Sequence, residues 1–516
     1  MNKQFAAGLL CLTVAASVLT GCGKKQEPGS SGSAANKLTY WVTLNGNVAA
    51  TSSDFGETPF VKELEKRLNV DLEFQHPPQG SEAEKFNVMM AMSDLPDIIE
   101  YSWAGYPGGP GKAITDKKIL GLQNDLETKA PNLAKVLAEN PTAAKLSKTD
   151  KGEIFGFPYI RGDKSLQVWT GLVVRNDWIK ELNLSIPETI DEWETVLTAF
   201  KEKKGVSAPL SILPGQFRRG ILIGAWNVTD DYYVDGGKIK YGALEPGFKE
   251  FLTTMNRWYE NGLLSKDLPT LDNKVIDNNI LNGGSGATAG AIGSGIGRWQ
   301  ASAKAEGYEL AGAPYPTLKK GDAATFSDTS LMVPGVFAAI TTSCKNPDLA
   351  YKVLDYGYSN DGYMLYNFGI EGESYNMKDG YPTYTDTITK NAEGLSMSAS
   401  MARYVRSCAD GPFVQDKRYM EQYAALPQQK QAWAIWSKTD GEQHMVPHIY
   451  IDDAAASDIA KKSTSITTYE SEMVLNFIMG NEPLSKYDAF VSELKNRGID
   501  AVIAEKQKAY DRYLVR

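Results

Sequence analysis

Behind its N-terminal region, the chain opens with apolar and polar positions in two different periods. Residues 37–44 (Lys-Leu-Thr-Tyr-Trp-Val-Thr-Leu) alternate as a β-strand does, and residues 70–74 (Val-Asp-Leu-Glu-Phe) alternate in the same way. Between them, residues 58–69 start with Thr-Pro and carry apolar side chains at helical spacing. The pattern predicts a β-α-β unit.

A second unit of the same kind is predicted to begin near residue 150. Residues 171–178 form an apolar strand that leads directly into a helix, and residues 187–201 follow as an amphipathic helix. Residues 282–297 are mostly Gly, Ala and Ser, which we interpret as a strand and loop where backbone approaches backbone or ligand closely, as at a crossing between lobes. Residues 487–513 are predicted to form one long helix.

The alternation of strands and helices predicts an α/β protein with mostly parallel sheets and helices on both sheet faces. A chain of 516 residues is too long for a single hydrophobic core. We therefore predict two lobes. Residues 37–150 plus about 300–355 would form the first lobe, and residues 151–299 plus about 356–516 the second.

The N-terminus has the layout of a secretory signal peptide over residues 1–21. Lys3 precedes an apolar run over residues 5–19, which is shorter than the roughly 18–20 residues that a membrane-spanning helix needs. Leu-Thr-Gly then precedes Cys22, the order of a lipobox, in which the thiol is lipidated and becomes the new N-terminus; an ordinary buried cysteine is the alternative. Residues 22–36 predict a flexible, lipidated linker. Two acyl chains would hold the protein stably on the outer face of the cell membrane.

Composition narrows the possible partners. Hydrophobic residues make up 42% of the chain, charged residues 23%, and the mean hydropathy is -0.33, as in an ordinary globular protein. The net charge of -9 argues against nucleic acid as a partner, because nucleic acid rewards clustered Lys and Arg. We expect a neutral or cationic ligand and a monomeric protein.

Motifs for catalysis or for metal binding are missing from the sequence. The three histidines are His76, His444 and His448, and a proline between the last two disfavours a metal-binding helix turn. Neither a nucleotide loop nor a Gly-x-Ser-x-Gly elbow occurs. We expect no catalytic residue, no metal and no cofactor, and therefore no enzyme. Cys344 and Cys408 could form one disulfide or remain two buried thiols.

Aromatic residues are abundant, with 10 Trp, 26 Tyr and 17 Phe, and several stand beside Gly or polar residues. A flat ring covers the apolar face of a sugar and leaves the sugar hydroxyls to polar partners. This supply favours a carbohydrate ligand, although core packing is the alternative for each ring. The aromatic candidates for ligand contact are Tyr101, Trp103, Trp169, Trp226, Trp299 and Tyr375.

Four segments are distinctive when taken together. They are residues 174–193 (beginning Val-Arg-Asn-Asp-Trp-Ile-Lys), 258–264 (Trp-Tyr-Glu-Asn-Gly-Leu-Leu), 369–375 (Gly-Ile-Glu-Gly-Glu-Ser-Tyr) and 508–513 (Lys-Ala-Tyr-Asp-Arg-Tyr). In them, and through most of the mature chain, the sequence resembles the family 1 extracellular solute-binding lipoproteins of oligosaccharide ABC importers, especially the large type of bacilli and paenibacilli. The resemblance implies a periplasmic-binding-protein-like fold. Its two α/β lobes would be joined by several crossings and close on ligand as a hinge.

The resemblance also implies site residues and partners. The segment with Glu371, Glu373 and Tyr375 resembles a loop that meets sugar, and Trp299 matches an aromatic after a glycine-rich strand. Membrane permease subunits would receive the captured solute. Some family members carry a calcium loop at the position of residues 201–208, but here three Lys and one Glu cannot supply the oxygen ligands, so we expect no calcium.

Three other functions stay open at this point. The chain could bind a peptide or another solute, which would need a carboxylate or amine clamp that the sequence does not reveal. It could be a surface-anchored enzyme that degrades polysaccharide. It could also be a sensor that works with a membrane kinase.

Overall fold

The computed structural model describes residues 36–407 and 410–516. The strands of this part of the chain are β1 (Lys37–Val42), β2 (Asp71–Gln75), β3 (Ile98–Ser102), β4 (Phe157–Pro158), β5 (Ile160–Arg161), β6 (Thr170–Arg175), β7 (Tyr232–Asp235), β8 (Lys238–Tyr241), β9 (Ala287–Ala291), β10 (Leu310–Ala313), β11 (Val336–Ile340), β12 (Tyr375–Lys378), β13 (Tyr381–Tyr384) and β14 (Val414–Gln415).

The α-helices of the same residues are α1 (Gly46–Ala49), α2 (Pro59–Leu68), α3 (Glu82–Met90), α4 (Gly109–Thr115), α5 (Leu126–Lys129), α6 (Pro131–Glu139), α7 (Pro141–Leu146), α8 (Asn176–Glu181), α9 (Ile190–Lys204), α10 (Pro214–Gln216), α11 (Pro246–Glu260), α12 (Asn273–Asn282), α13 (Arg298–Ser302), α14 (Pro347–Tyr356), α15 (Asn360–Phe368), α16 (Asp386–Thr389), α17 (Met397–Tyr404), α18 (Lys417–Tyr423), α19 (Pro427–Trp436), α20 (Asp453–Met479), α21 (Tyr487–Asn496) and α22 (Ile499–Leu514).

The first sheet has the strand order β2-β1-β3-β11-β4. Strands β1, β2 and β3 are parallel, and β11 runs antiparallel to its neighbours β3 and β4. Helix α2 begins where the sequence predicts it, because the Thr58 side chain accepts a hydrogen bond from the Val61 N–H at 3.3 Å and Pro59 occupies the first turn. The predicted β-α-β opening is confirmed.

The second sheet has the order β10-β6-β9, and both of its strand pairs are antiparallel. The prediction of a mostly parallel sheet is therefore wrong for this lobe. Strands β9 and β10 flank β6 in the same direction, with α13 on the path between them. The direction in which a distant strand enters a sheet depends on its connecting path, and the apolar pattern of the strand does not encode that path.

Two large apolar cores divide the described chain into two lobes, and a third, small cluster consists of Val234, Ile239 and Tyr510. The first core runs from Leu38 to Ile160 and is completed by residues 331–366 together with two later residues, whereas the second begins at Leu166. Strand β10, which the predicted boundaries place in the first lobe, lies in the sheet of the second because it pairs with β6. The chain therefore returns to the first lobe later than the predicted residue 300.

Three chain segments cross between the lobes side by side. Strand β5 pairs in parallel with β14, with Ile160 opposite Val414. On its other side, the Arg161 N–H donates to the Met332 carbonyl at 2.8 Å. These three segments form the floor between the lobes.

Two predicted helices differ from the structure, one by a break in its middle and one at its ends. The helix predicted for residues 487–513 is two helices, α21 and α22, because Gly498 takes a φ of 93° between them, a conformation that ends a right-handed helix. The helix predicted for residues 187–201, for which Thr189 and Asp191 are both plausible caps in the sequence, is α9: Thr189 is the cap and forms a capping box with Glu192, and the helix runs from Ile190 to Lys204.

Some predictions fall on residues that the structure does not describe. The signal peptide, Cys22 and nearly all of the linker lie outside the described residues, as does Cys408. Cys344 is a half-buried free thiol, and burial raises its pKa to about 12. Across residues 36–407 and 410–516, none of the helices combines the length and the apolar character that crossing a membrane requires.

Candidate functional site

A cavity of about 350 Å³ lies between the two lobes, above the three crossing segments. This volume is within the range of about 300–1,000 Å³ that is typical of small-molecule sites. Both lobes and the crossings supply its walls, which consist of Asn45, Asn47, Tyr159, Arg161, Trp169, Ala291, Ile292, Gly293, Ser294, Ser398, Ser407, Asp410, Gln415, Tyr419, Met420 and Tyr423.

The first lobe contributes two amide side chains beyond the carboxyl end of β1. The Asn45 side chain accepts a hydrogen bond from the Asn47 N–H at 2.9 Å and thereby starts the short helix α1. The place is the one expected for a ligand in an α/β lobe, since loops after parallel strands surround the crevice. Sequence analysis did not single out these asparagines, although their position after a predicted strand was a usable signal.

The second lobe contributes the glycine-rich segment after β9. A methyl group on Gly293 would lie 2.0 Å from the Tyr423 hydroxyl oxygen, and one on Gly290 would lie 2.5 Å from the Trp299 ring. Gln429 Nε2 holds the turn by donating to the Ile292 carbonyl at 2.9 Å. A methyl group on Gly295 would lie 3.1 Å from the Gly290 backbone, so the predicted approach of backbone to backbone is confirmed. The segment belongs to the wall of the second lobe and is not a crossing between lobes.

The floor of the cavity carries a guanidinium stacked on two aromatic rings. The centre of the Arg161 guanidinium lies 4.5 Å from the Trp169 ring centre and 5.4 Å from that of Tyr159. Arg161 Nη1 donates to the Leu166 carbonyl at 3.0 Å and to Gln415 Oε1 at 3.3 Å. The sequence prediction did not include Arg161, because a short polar segment between two lobes has no periodicity.

Two buried polar atoms at this floor lack a hydrogen-bond partner among the described residues. They are Arg161 Nε and the Ser407 hydroxyl oxygen. Leaving a buried polar atom unpaired costs about 1–3 kcal/mol. The cavity therefore offers hydrogen-bonding groups that the described chain itself does not satisfy.

A buried ion pair ties Arg406, next to the cavity-lining Ser407, to the first sheet. Arg406 Nη2 lies 2.5 Å from Glu100 Oε1, and the Tyr40 hydroxyl donates to the other Glu100 oxygen at 2.6 Å. Glu100 is 3% exposed and Arg406 7%. Burial raises the pKa of Tyr40 well above its usual value, and the charge of Glu100 adds to this. Arg406 also donates from Nε to the Asp410 carbonyl at 2.7 Å, which positions the cavity-lining Asp410.

Of the eight predicted ligand-contact residues, Trp169 lines the cavity and the other seven do not. Trp103 has no exposed surface and donates from Nε1 to the Phe337 carbonyl at 3.3 Å. The half-buried Tyr101 stacks on Phe86 at 4.5 Å, and burial raises its pKa. Both residues pack in the first core, since a ring at the end of a strand suits a core as well as a crevice.

In the second lobe, two predicted tryptophans are also core residues. Trp226 packs edge-on against Phe251 at 5.6 Å, and Trp299 is 3% exposed. Trp299 Nε1 donates to Asp277 Oδ1 at 2.7 Å, and its ring fills the space that Gly290 leaves. Trp299 thus supports the glycine-rich wall from behind.

The loop of Glu371, Glu373 and Tyr375 lies away from the cavity. Both carboxylates are exposed on the turn before β12, and Tyr375 packs against Phe368 with a centroid distance of 6.0 Å. These residues do not line the cavity.

The residues at the position where some family members carry a calcium loop contact other groups here. Lys201 Nζ donates to the Asn261 carbonyl at 2.6 Å, and Lys204 forms an ion pair with Glu181. Within the residues described, His, Cys, Asp and Glu form no group of three or more that could hold a metal ion.

Comparison with known proteins assigns the chain to a family. The model for bacterial extracellular solute-binding proteins matches residues 49–364. The chain belongs to this family. The fructooligosaccharide ABC transporter substrate-binding protein FusA of Streptococcus pneumoniae serotype 4 is 24% identical, with 99% of this chain and 98% of FusA covered. The lipoprotein LipO of Bacillus subtilis is 23% identical, with 78% and 81% covered.

Solved structures agree on the fold of this solute-binding protein. The alginate-binding protein AlgQ2, crystallised without calcium ion, superposes with a TM-score of 0.73 over 92% of this chain and 98% of AlgQ2, at 24% sequence identity. At that identity the likeness shows the fold alone. The predicted α/β class and the predicted solute-binding family are both confirmed.

Proposed function

We propose that the chain captures an oligosaccharide in the cavity between its lobes and delivers it to the permease of an ABC importer. The observation that carries the proposal is a cavity that both lobes and the crossings line with amides, hydroxyls and aromatic rings. Such walls suit a sugar, whose hydroxyls need polar partners and whose ring faces are apolar. FusA, named for binding fructooligosaccharide in ABC transport, supports the same class of ligand.

Capture would depend on closure of the two lobes. A ligand that touches both walls stabilises the closed form by its differential affinity for that form. Asn47 on one wall and Tyr423 on the other are placed for such a ligand. Binding without turnover fits this arrangement and the names of the relatives.

Calorimetry with a panel of neutral and acidic oligosaccharides and with short peptides tests the ligand class, and chromatography of the same mixtures tests for products. Saccharide binding without products is the expected result. Binding of peptides alone would contradict the assignment of a saccharide as the ligand. Product formation would favour the surface-anchored enzyme instead.

A substitution of Trp169 tests the proposed ligand site most directly. Trp169→Ala removes the ring from the cavity and is expected to weaken saccharide binding by about 2 kcal/mol, roughly 30-fold. Trp169→Phe keeps a ring and serves as the matched control, with most of the affinity retained. Equal affinity of the alanine variant and the native chain would remove Trp169 from the site.

We further propose that Cys22 carries the lipid anchor and that the protein works as a monomer on the outer face of the cell membrane. The lipobox order before Cys22, and the relative LipO, named as a lipoprotein, support this proposal. Cys22→Ser is expected to abolish labelling by a radioactive fatty acid and to release the protein from the membrane fraction. Labelling that persists in the variant would contradict the anchor, and light scattering of the detergent-solubilised chain would test the monomer.

A further inference from the structure

Charge is distributed unevenly in the cavity between the lobes. Arg161 and Asp410 are the charged side chains among its described lining residues. Arg161 forms no direct ion pair with a described carboxylate, but its charge acts on Asp410 at longer range and counteracts part of the rise in the pKa of Asp410 that burial causes. Elsewhere in the described chain, the buried guanidiniums of Arg406 and Arg218 are paired with Glu100 and Glu470, whereas Arg161 is half-buried and faces the cavity.

The side chain of Arg161 is fixed in place but not neutralised. Its face lies on the rings of Trp169 and Tyr159, and Nη1 is used by the Leu166 carbonyl and by Gln415 Oε1. Nε is buried without a described hydrogen-bond partner. A guanidinium that is partly removed from water gains from an anion that restores the lost interactions, so this site favours an anionic group.

The contacts of Arg161 also place it on the hinge. Its own strand, β5, is hydrogen-bonded to Met332 on one side and to β14 on the other, where the Gly162 N–H donates to the Gln415 carbonyl at 3.0 Å. The guanidinium therefore lies at the cavity floor, between the two walls. A ligand group that it binds would lie at this floor.

We propose that the cavity selects a saccharide bearing a carboxylate, such as a uronate, and that Arg161 binds that carboxylate. This inference rests on the proposed function and specifies its substrate class. Planar guanidinium and carboxylate groups form short, charge-assisted hydrogen bonds, and Asn47 and Ser294 on the walls remain for the ring hydroxyls. An anionic saccharide therefore replaces the neutral or cationic ligand that the net charge predicts. The net charge describes the whole protein surface and not the cavity.

The deciding experiment compares an acidic trisaccharide, such as trigalacturonate, with its fully methyl-esterified form. The two differ in charge while keeping the sugar ring hydroxyls, so calorimetry on the purified full-length chain in detergent isolates the carboxylate. We expect the acid to bind more tightly. Arg161→Gln is expected to lower the affinity for the acid by about 30-fold or more and to leave the affinity for the ester within about threefold.

Three further variants keep the proposal falsifiable. Arg161→Lys retains the charge without the paired donors and should fall between the native chain and Arg161→Gln. Asp410→Asn removes a nearby negative charge and should strengthen binding of the acid. Arg219→Gln changes an exposed arginine outside the cavity and is the matched control, with no expected change.

Each outcome decides between the inference and the proposed function. Equal binding of acid and ester by the native chain would overturn the role of Arg161 while the capture of saccharide stands. Failure of acid, ester and neutral saccharides alike would overturn both. If circular dichroism shows that Arg161→Gln is not folded, the comparison of acid and ester on the native chain and on Arg161→Lys still tests the role of Arg161.

Discussion

At the residue scale, the ion pair of Arg406 and Glu100 is the interaction for which substitution has the clearest expected cost. Both groups are almost fully buried, and the Glu100 carboxylate is also bound by Tyr40. Removing one member leaves the other charge buried without its partner, which costs far more than the net value of the pair.

Arg406→Met is expected to destabilise the protein by about 3–5 kcal/mol, because Glu100 would remain buried without its counter-ion. Arg403→Met is the matched control, since Arg403 lies three residues away and pairs with an exposed carboxylate, Glu393, for which a loss below about 1 kcal/mol is expected. Urea unfolding of both variants, followed by fluorescence, measures the difference. Equal losses in the two variants would contradict the special role of the buried pair.

The same scale shows why site residues were hard to predict. Trp103 and Trp169 each have a hydroxyl-bearing residue beside them in the sequence, yet Trp103 is fully buried and Trp169 lines the cavity. The difference arises from which segments pack against each ring, and those segments are distant in sequence. Arg161 and Asn45 are functional candidates for reasons of placement alone, so composition and spacing could not identify them.

At the element scale, the glycine-rich turn after β9 depends on the absence of side chains at its glycines. Gly293→Ala would place a methyl group 2.0 Å from the Tyr423 hydroxyl oxygen, so the tyrosine must move or the wall must shift. We expect saccharide affinity to fall about tenfold through the displaced wall. Gly215→Ala is the control, because nothing lies within 4 Å of the added atom there and no change is expected.

Calorimetric titration of the two alanine variants tests this expectation, and a thermal melt checks that both are folded. Unchanged affinity in Gly293→Ala would show that the turn only packs and does not shape the site.

Elements with local signals were predictable, and those fixed by long-range pairing were not. Thr58 and Thr189 mark the starts of α2 and α9 through caps that the sequence displays. The break at Gly498 was missed because a lone glycine in a polar helical pattern is often tolerated. The antiparallel direction of the second sheet was missed because its strands are brought together by chain paths that no local pattern records.

At the scale of the whole molecule, the second lobe holds a carboxyl group that opposes folding when ionised. Glu470 on α20 is 1% exposed, hydrogen-bonded by Tyr241 at 2.6 Å and paired with Arg218 at 2.8 Å. Burial raises its pKa from 4.5 to about 7. Burial likewise raises the pKa of Asp328, on the chain segment that leads back to the first lobe, to about 6.

The raised pKa values of Glu470 and Asp328 determine the direction in which the stability of the fold changes with pH. A raised folded-state pKa means that the folded chain binds more protons than the unfolded chain between pH 4.5 and about 7, so stability falls as pH rises through this window. We expect Glu470→Gln to flatten the slope there. Urea midpoints of both chains at several pH values give the difference, and parallel curves would contradict the assignment.

The division of each core between distant stretches of chain has a consequence for the order of events during export. The first core needs Leu38 near one end of the chain and Phe413 far along it. A polypeptide that leaves the cell N-terminus first cannot complete that core until both stretches have emerged, and closing so long a loop is slow. The topology itself would thus delay folding. The chain would stay unfolded, and therefore able to cross the membrane, until most of it has crossed.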